Sequence, residues 1–461
     1  MSRSHEGGDE VTSVDVVIVG AGFAGLSAAE RLSSMGVSVL VLEGRDRVGG
    51  RSFSGEVAGI EVDLGATWVS GRHAAIRDLA ARVGCTTTRH LATGRNVLWM
   101  GGWRRIYEGT TPSVSPVGLI DMTRVQTALE KLVSDIDVDA VWKSPNAAEL
   151  DAISFGEWLD QNRALPNTRA LMAVVTKVQW GCSPGDVSLL HVLRYIRAAG
   201  GIDHMLGIDG ERQDRITETT QEIARRVAAR LGDRVLVDTP VRRITQDENG
   251  VTVFSGPDTF RARYALVTAA PAHRADITFE PALPVTEDGL ATTWRMGALS
   301  KALIAYHKPF WRVNGFSGEA VTDTGPVFMT VDVSPAGGGL GVLMAHCDPR
   351  GFDGSSPESR RSRVVQQLVD LFGPQASTPV DYVDHCWGTE SFAPGGPSPV
   401  ATLRATMSHT RTLNEPLGRI EWAGAEMAGE WAGSMNGAVL SGQGAAERVA
   451  DRLRLEEGAL V

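Results

Sequence analysis

Residues 16–19 form an uninterrupted apolar run, glycines follow at 20, 22 and 25 at the head of a helical period, and a second apolar run, 37–42, ends on Glu43. Short β-branched runs without polar alternation read as strands buried on both faces. The chain therefore opens with a strand–helix–strand unit. Residues 120–230 follow a mostly helical period, clearest over 123–136 and 220–231. From Arg234 to Phe279 the spacing shortens to alternation and predicts strands over 235–237, 241–244, 251–254 and 264–268. Residues 298–306 and 340–346 also read as strands. The last stretch predicts a strand over 420–423, a loop, and a helix over 437–453. Glycine clusters at 337–339 and 394–397 mark loops.

A strand–glycine–helix start and a strand–loop–helix finish imply one domain assembled from separated segments. After a disordered N-terminus at 1–13, residues 14–86, 217–291 and 400–461 are expected to form it, and 87–216 with 292–399 a second, substrate-covering domain. At 461 residues the chain has the length for two such bodies. Composition changes this picture little, but it excludes classes. A net charge of −10 with no compensating basic stripe argues against nucleic acid. Four scattered cysteines without C-x-x-C spacing suit a reduced compartment better than a disulfide framework. No apolar stretch is long enough to span a bilayer, and residues 1–13 hold no signal-peptide core, so a soluble cytoplasmic protein without membrane partners is expected.

The candidate chemistry starts at the glycines, whose spacing is G-x-G-x-x-G. Gly20 permits a tight turn, Gly22 lets the backbone approach a pyrophosphate, and Gly25 lets helix and strand pack closely. The helix start at Phe23 and Ala24 offers free N–H groups and partial positive charge to phosphates. Glu43 can accept hydrogen bonds from ribose hydroxyls and would repel a 2′-phosphate. The site is thus one for a dinucleotide other than NADP. Arg45-Asp46-Arg47-Val48-Gly49-Gly50-Arg51 adds a second close backbone approach and a fork for phosphate oxygens, which an NAD fingerprint alone does not explain. G-x-G-x-x-G, then Glu43, then R-x-G-G-R resembles the FAD signature of the glutathione-reductase-like flavoproteins, and among them the flavin amine oxidases.

Lys301 shares a strand face with Leu299, Leu303 and Ala305, where an ammonium is costly unless it is partnered or functional. An edge-strand lysine facing solvent is the other reading. Its context, Met296-Gly-Ala-Leu-Ser-Lys301 followed by Pro309-Phe310-Trp311, resembles the amine oxidase segment whose lysine holds a water against flavin N5. That resemblance makes Lys301 the catalytic candidate for reoxidation by oxygen. The run from Trp422 to Ala438 resembles the family's last flavin-binding segment. There Ser434, Met435 and Ala438 would face the ring, and Glu426 would lie near pyrophosphate and ribitol. Trp387 to Gly395 resembles a further element that sets Trp387 against the ring. Asp63 to Trp68 resembles the loop along the flavin, with Gly65, Ala66, Thr67 and Trp68 beside it, and Val241 is assigned to the same cofactor. The resemblance carries Val178, Gln179, Met205, Leu206, Gln213, Met329, His346, Pro397 and Ser434 to the substrate, although His346 also reads as a hydrogen-bonded core histidine.

Three features depart from the family. Gly396 stands where the mitochondrial enzymes carry the flavin-linked cysteine, which implies non-covalent FAD. Pro397 and Ser434 stand where two aromatic rings usually cage the amine. Thr217-Glu218-Thr219-Thr220 replaces a glycine-containing turn. The resemblance implies an α/β fold, an FAD-binding Rossmann-like domain of glutathione-reductase type interleaved with an α+β substrate domain, as in the monoamine oxidases. It implies oxidation of a small-molecule amine, with dioxygen reduced to hydrogen peroxide and no metal. A desaturase or dehydrogenase on the same scaffold, a flavin binder with a degenerate site, and a homodimer in place of a monomer all stay open.

Overall fold

The computed structural model describes residues 12–90, 93–109, 112, 115–206, 212–283, 289, 293–409 and 415–458. Of the N-terminal stretch expected to be disordered, only Thr12 and Ser13 fall within these, and both belong to the first strand. That strand, Thr12–Val19, lies in an eight-stranded sheet between Val39–Leu42 and Asp258–Val267, parallel to both. Val235–Leu236 extends one side, and Ile420–Trp422 pairs in parallel with Asp258–Val267. Val251–Ser255 and Arg243–Gln246 continue antiparallel on the other. Val16, Val17 and Ile18 have no exposed surface, as an apolar run covered on both faces requires. Each such side chain contributes about 1.5–3 kcal/mol of burial.

Helix Phe23–Ser34 covers one face and is itself covered by Met435–Gly458. Their approach is close enough that a Cβ on Gly442 would lie 2.1 Å from the Ala24 carbonyl oxygen. A seven-stranded sheet stands apart from the first, in the order Asp381–Cys386, Ser300–Tyr306, Gly341–Cys347, Val327–Asp332, Phe316–Thr322, Arg95–Met100, Trp103–Tyr107. Ser300–Tyr306 is an inner strand of it, which excludes the solvent-edge reading of Lys301; that residue is 3% exposed. Its neighbours alternate as expected, Leu303 and Ala305 in one apolar cluster, Ala302 and Ile304 in the next. Helices Pro116–Ser134, Pro166–Trp180 and Leu189–Ala198 pack beside this sheet as a helical block.

Two expected boundaries move for physical reasons. The helix expected over 123–136 starts at Pro116, capped by Ser115, whose Oγ accepts from the Gly118 amide at 3.0 Å. Val117 and Ile120 are exposed on its first turns, so the apolar period fades although the helix persists. The strand expected over 241–244 starts at Arg243. The preceding residues are held as loop by Thr239 N–H donating to the Glu43 carbonyl at 2.7 Å, and Val241 turns toward a cavity. Among the described residues no helix is long and apolar enough to cross a membrane, and no His, Cys, Asp and Glu cluster could hold a metal. All four cysteines are free.

Candidate active site

One cavity of about 980 Å³ runs from the glycine turn, along the loop at 64–68, to one face of the seven-stranded sheet. At its first end Gly20 takes φ +101°, and its N–H donates to the Leu42 carbonyl at 2.8 Å. Gly22 precedes the helix without any side-chain cap, which leaves first-turn N–H groups open. A Cβ on Gly22 would meet nothing nearer than Gly50 Cα at 3.9 Å, so packing does not demand glycine there. A Cβ on Gly25, by contrast, would lie 2.0 Å from the Gly20 carbonyl oxygen. The two glycines thus serve different needs, an open slot and a close helix contact. Glu43 is 5% exposed and accepts from the Ala21 amide at 2.8 Å and the Arg45 amide at 3.0 Å.

The arginines are anchored from behind. Arg45 and Arg47 both pair with Glu390, at 2.7 and 3.0 Å. Burial opposes the charge on Glu390, but His385, Arg45 and Arg47 hold its carboxyl down at about 2. Arg51 pairs with Glu426 at 2.7 Å and donates to the Pro397 carbonyl at 2.9 Å. Glu426 therefore sits behind Arg51 and does not line the cavity.

Farther along, three separated segments meet. The Lys301 ammonium donates to the Gly65 carbonyl at 2.5 Å, to Thr67 Oγ1 at 2.8 Å and to the Asp63 carbonyl at 3.3 Å. Trp387 Nε1 donates to the Leu64 carbonyl at 3.0 Å. The Asp63 carboxylate accepts from the amide and hydroxyl of Thr220. Burial pushes Lys301 down to about 8, and Asp63 partly offsets this; burial pushes Asp63 up to about 6. Opposite them helix Met435–Gly458 begins, where Ser434 Oγ accepts from the Gly437 amide at 3.0 Å. Ser434 is thus a helix cap as well as a cavity residue.

Of the remaining expected residues, Phe23, Ala24, Gly49, Ala66, Trp68, Val241 and Ala438 line the cavity, as do Val178, Gln179, Met205, Met329, His346 and Pro397. Gln213 does not; its Oε1 accepts from the Gly71 amide at 3.0 Å. The side chain of Leu206 lies outside the described residues. His346 pairs in register with both Lys301 and Met329 on adjoining strands. Burial, with repulsion from Lys301 and Arg212, pushes its imidazole down to about 3. Its Nδ1 has no hydrogen-bond partner, so a neutral ring with an open nitrogen faces the cavity. Sequence reasoning missed Tyr107, Tyr195, Arg212, Glu319 and His73, which also line it. Glu319 left no clear signal, since it sits among Ser317, Gly318 and Thr322 in a stretch of mixed polarity.

The chain matches the family model for flavin containing amine oxidoreductase over residues 23–450. It is 48% identical over 439 residues to AofH of Mycobacterium tuberculosis, a protein assigned by name to the flavin-containing monoamine oxidases; the match covers 95% of this chain and 97% of that one. Among solved structures, putrescine oxidase bound to putrescine superposes with a TM-score of 0.91 at 27% identity, over 96% of this chain and 100% of that one. Cyclohexylamine oxidase from Brevibacterium oxydans IH-35A does so with 0.91 at 30%, over 96% and 99%. The matched span runs from the start of the first helix, past Lys301 and Trp387, into the closing helix, and it makes this chain a member of the flavin-containing amine oxidoreductase family.

Proposed function

We propose that the protein holds FAD non-covalently and oxidises a small-molecule amine to an imine, which water converts to a carbonyl compound, while dioxygen takes the two electrons to give hydrogen peroxide. The observation that carries this reading is the continuity of the cavity: the open slot at Gly22 and Gly50 and the Lys301–Trp387 junction belong to one space. That space fits an extended dinucleotide, with Glu43 at the ribose, the uncapped helix start and Gly49-Gly50 at the phosphates, and Arg51 beside them. The bound flavin supplies the acceptor for the hydride equivalent. Trp387 and the loop from Gly65 to Trp68 flank the ring. The amide groups at the start of the helix from Met435 present a positive dipole end, which favours negative charge nearby. Lys301 adds a positive charge at the loop from Gly65 to Thr67.

The walls toward substrate are mostly apolar, with Val178, Met205 and Met329, and a desolvated amine there is more readily neutral. Gln179 and His346 add hydrogen-bonding capacity. Pro397 and Ser434 supply no aromatic rings, so orientation of the amine falls to these polar groups. Gly396 has no thiol, so no thioether can form there. The test is direct. Purified protein should be yellow, denaturation should release all flavin from the polypeptide, and amines should bleach the colour without oxygen and yield peroxide with it. A colourless protein that stays so when FAD is supplied would end the proposal.

A further inference from the structure

We infer that His346 is a specificity-determining residue and that the amine this protein takes is an amino alcohol, its hydroxyl borne on the second or third carbon and hydrogen-bonded to the imidazole; the inference rests on the amine oxidase reading. His346 lies directly opposite Lys301 on the neighbouring strand, with Met329 opposite it on the other side. Directly opposite residues of an antiparallel pair have Cα atoms about 5 Å apart, and their side chains leave the sheet on the same face. The Lys301 ammonium ends at the Gly65 carbonyl and Thr67 Oγ1, beside the Leu64 carbonyl that Trp387 holds. An amine oxidised at that junction runs along the row, and its second or third carbon comes to lie against the His346 ring.

His346 is 8% exposed and lines the cavity. Nδ1, the ring nitrogen nearer the backbone, is buried without a hydrogen-bond partner, which excludes the reading of a hydrogen-bonded core histidine. What faces the cavity is therefore the distal edge of the ring, which carries Nε2. Phe328 packs on the imidazole with centroids 6.0 Å apart. In such a wall an imidazole is a costly choice over a phenyl ring unless a ligand pairs with it. Burial, with repulsion from Lys301 and Arg212, keeps the ring neutral, so one nitrogen donates and the other accepts. A hydroxyl does both, and so pairs with Nε2 in either tautomer. The two nearby cations are matched by acids, for Asp63 acts on Lys301 and Glu319 pairs with Arg212 at 3.2 Å. With charge balanced in this way, a neutral polar group suits the ring better than an ammonium or a carboxylate.

The test compares hexylamine with its β-hydroxy, γ-hydroxy and ω-hydroxy derivatives as substrates of the holoenzyme, by peroxide release. The better of the β- and γ-hydroxy amines should exceed hexylamine in kcat/KM by about tenfold. The ω-hydroxy amine, whose hydroxyl lies beyond the ring, should show no such gain. His346→Phe should cut the ratio of amino alcohol to hexylamine about tenfold, chiefly through KM for the amino alcohol, and His346→Gln should restore part of it. A ratio that His346→Phe leaves unchanged would overturn the inference, because loss of packing alone slows both substrates alike. So would an ω-hydroxy amine that gains as much as the other two. Should the variants fail to fold, the wild-type order of the four amines decides. If no amine of any kind bleaches the flavin, the amine oxidase reading falls first; if amines bleach it and the hydroxyl brings no gain, only this inference falls.

Discussion

Lys301→Met keeps the length and apolar stem of the side chain and removes its charge. Burial lowers the ammonium from 10.5 to about 8, so holding it protonated in the fold at neutral pH costs about 3 kcal/mol. The variant sheds that cost but loses the three hydrogen bonds of the ammonium, to the Gly65 carbonyl, Thr67 Oγ1 and the Asp63 carbonyl, at about 1 kcal/mol each. The two contributions nearly cancel, and the variant should melt close to wild type. Between pH 8 and 10.5 the unfolded chain keeps a proton that the folded protein has lost. Stability of the wild type therefore rises with pH there, and that of the variant gains nothing from this group. Reactivity should not cancel in this way. Reoxidation by dioxygen should slow about 10²-fold on loss of the charge, whereas anaerobic reduction by an amine should change far less. In the wild type, reoxidation should fall as pH passes about 8. Rapid mixing of reduced protein with oxygen, and of oxidised protein with amine, measures the two half-reactions separately. Equal slowing of both, or a pH step near 8 that survives in the variant, would refute the reasoning.

Thr219 precedes helix Thr220–Leu231 at φ +90° and ψ 155°, with its hydroxyl unpartnered, a conformation that glycine tolerates and threonine does not. Thr219→Gly should raise stability by about 1 kcal/mol in urea unfolding, and an unmoved midpoint would count against strain at that site. Gly22→Ala should fold normally yet retain less flavin, read as the ratio of visible to ultraviolet absorbance. Gly25→Ala should instead lower stability by about 3 kcal/mol, because its Cβ collides with the Gly20 carbonyl oxygen; the opposite pattern would reverse the division of labour between the two glycines. His73 and His90 are held down to about 4, and His191 and His346 to about 3, by burial first. The unfolded chain binds more protons below pH 6.5, so stability should drop steeply from there toward pH 4 with uptake of several protons. A flat profile over that range would contradict it.

Much of the first end of the cavity was legible in the chain because its determinants are local. The turn, the helix start and Glu43 sit within one strand–helix–strand unit, where glycine spacing has a direct backbone meaning. Helix Thr220–Leu231 was legible to the residue, since its buried positions Ile223, Ala224 and Val227 keep a clean period against arginines. The far end was not. Tyr107, Arg212 and Glu319 come from three stretches that no spacing relates, and they meet only when the seven-stranded sheet is assembled. Strand Val327–Asp332 is buried at every position, so it shows no alternation to read. The division at the arginines was legible in part: the sequence marks them as phosphate partners, but not that Glu390 and Glu426, each far along the chain, hold them from behind.

The order of the strands in the eight-stranded sheet has a consequence for biosynthesis. Thr12–Val19 leaves the ribosome well before Ile420–Trp422 and the helix that roofs Phe23–Ser34. Until they arrive, the apolar side of that early helix stays open to water and to other chains, an aggregation hazard for a nascent polypeptide. Arg51 likewise waits for Glu426 before it is braced. The glycine turn and Arg51 thus reach their finished packing only when segments far later in the sequence are in place.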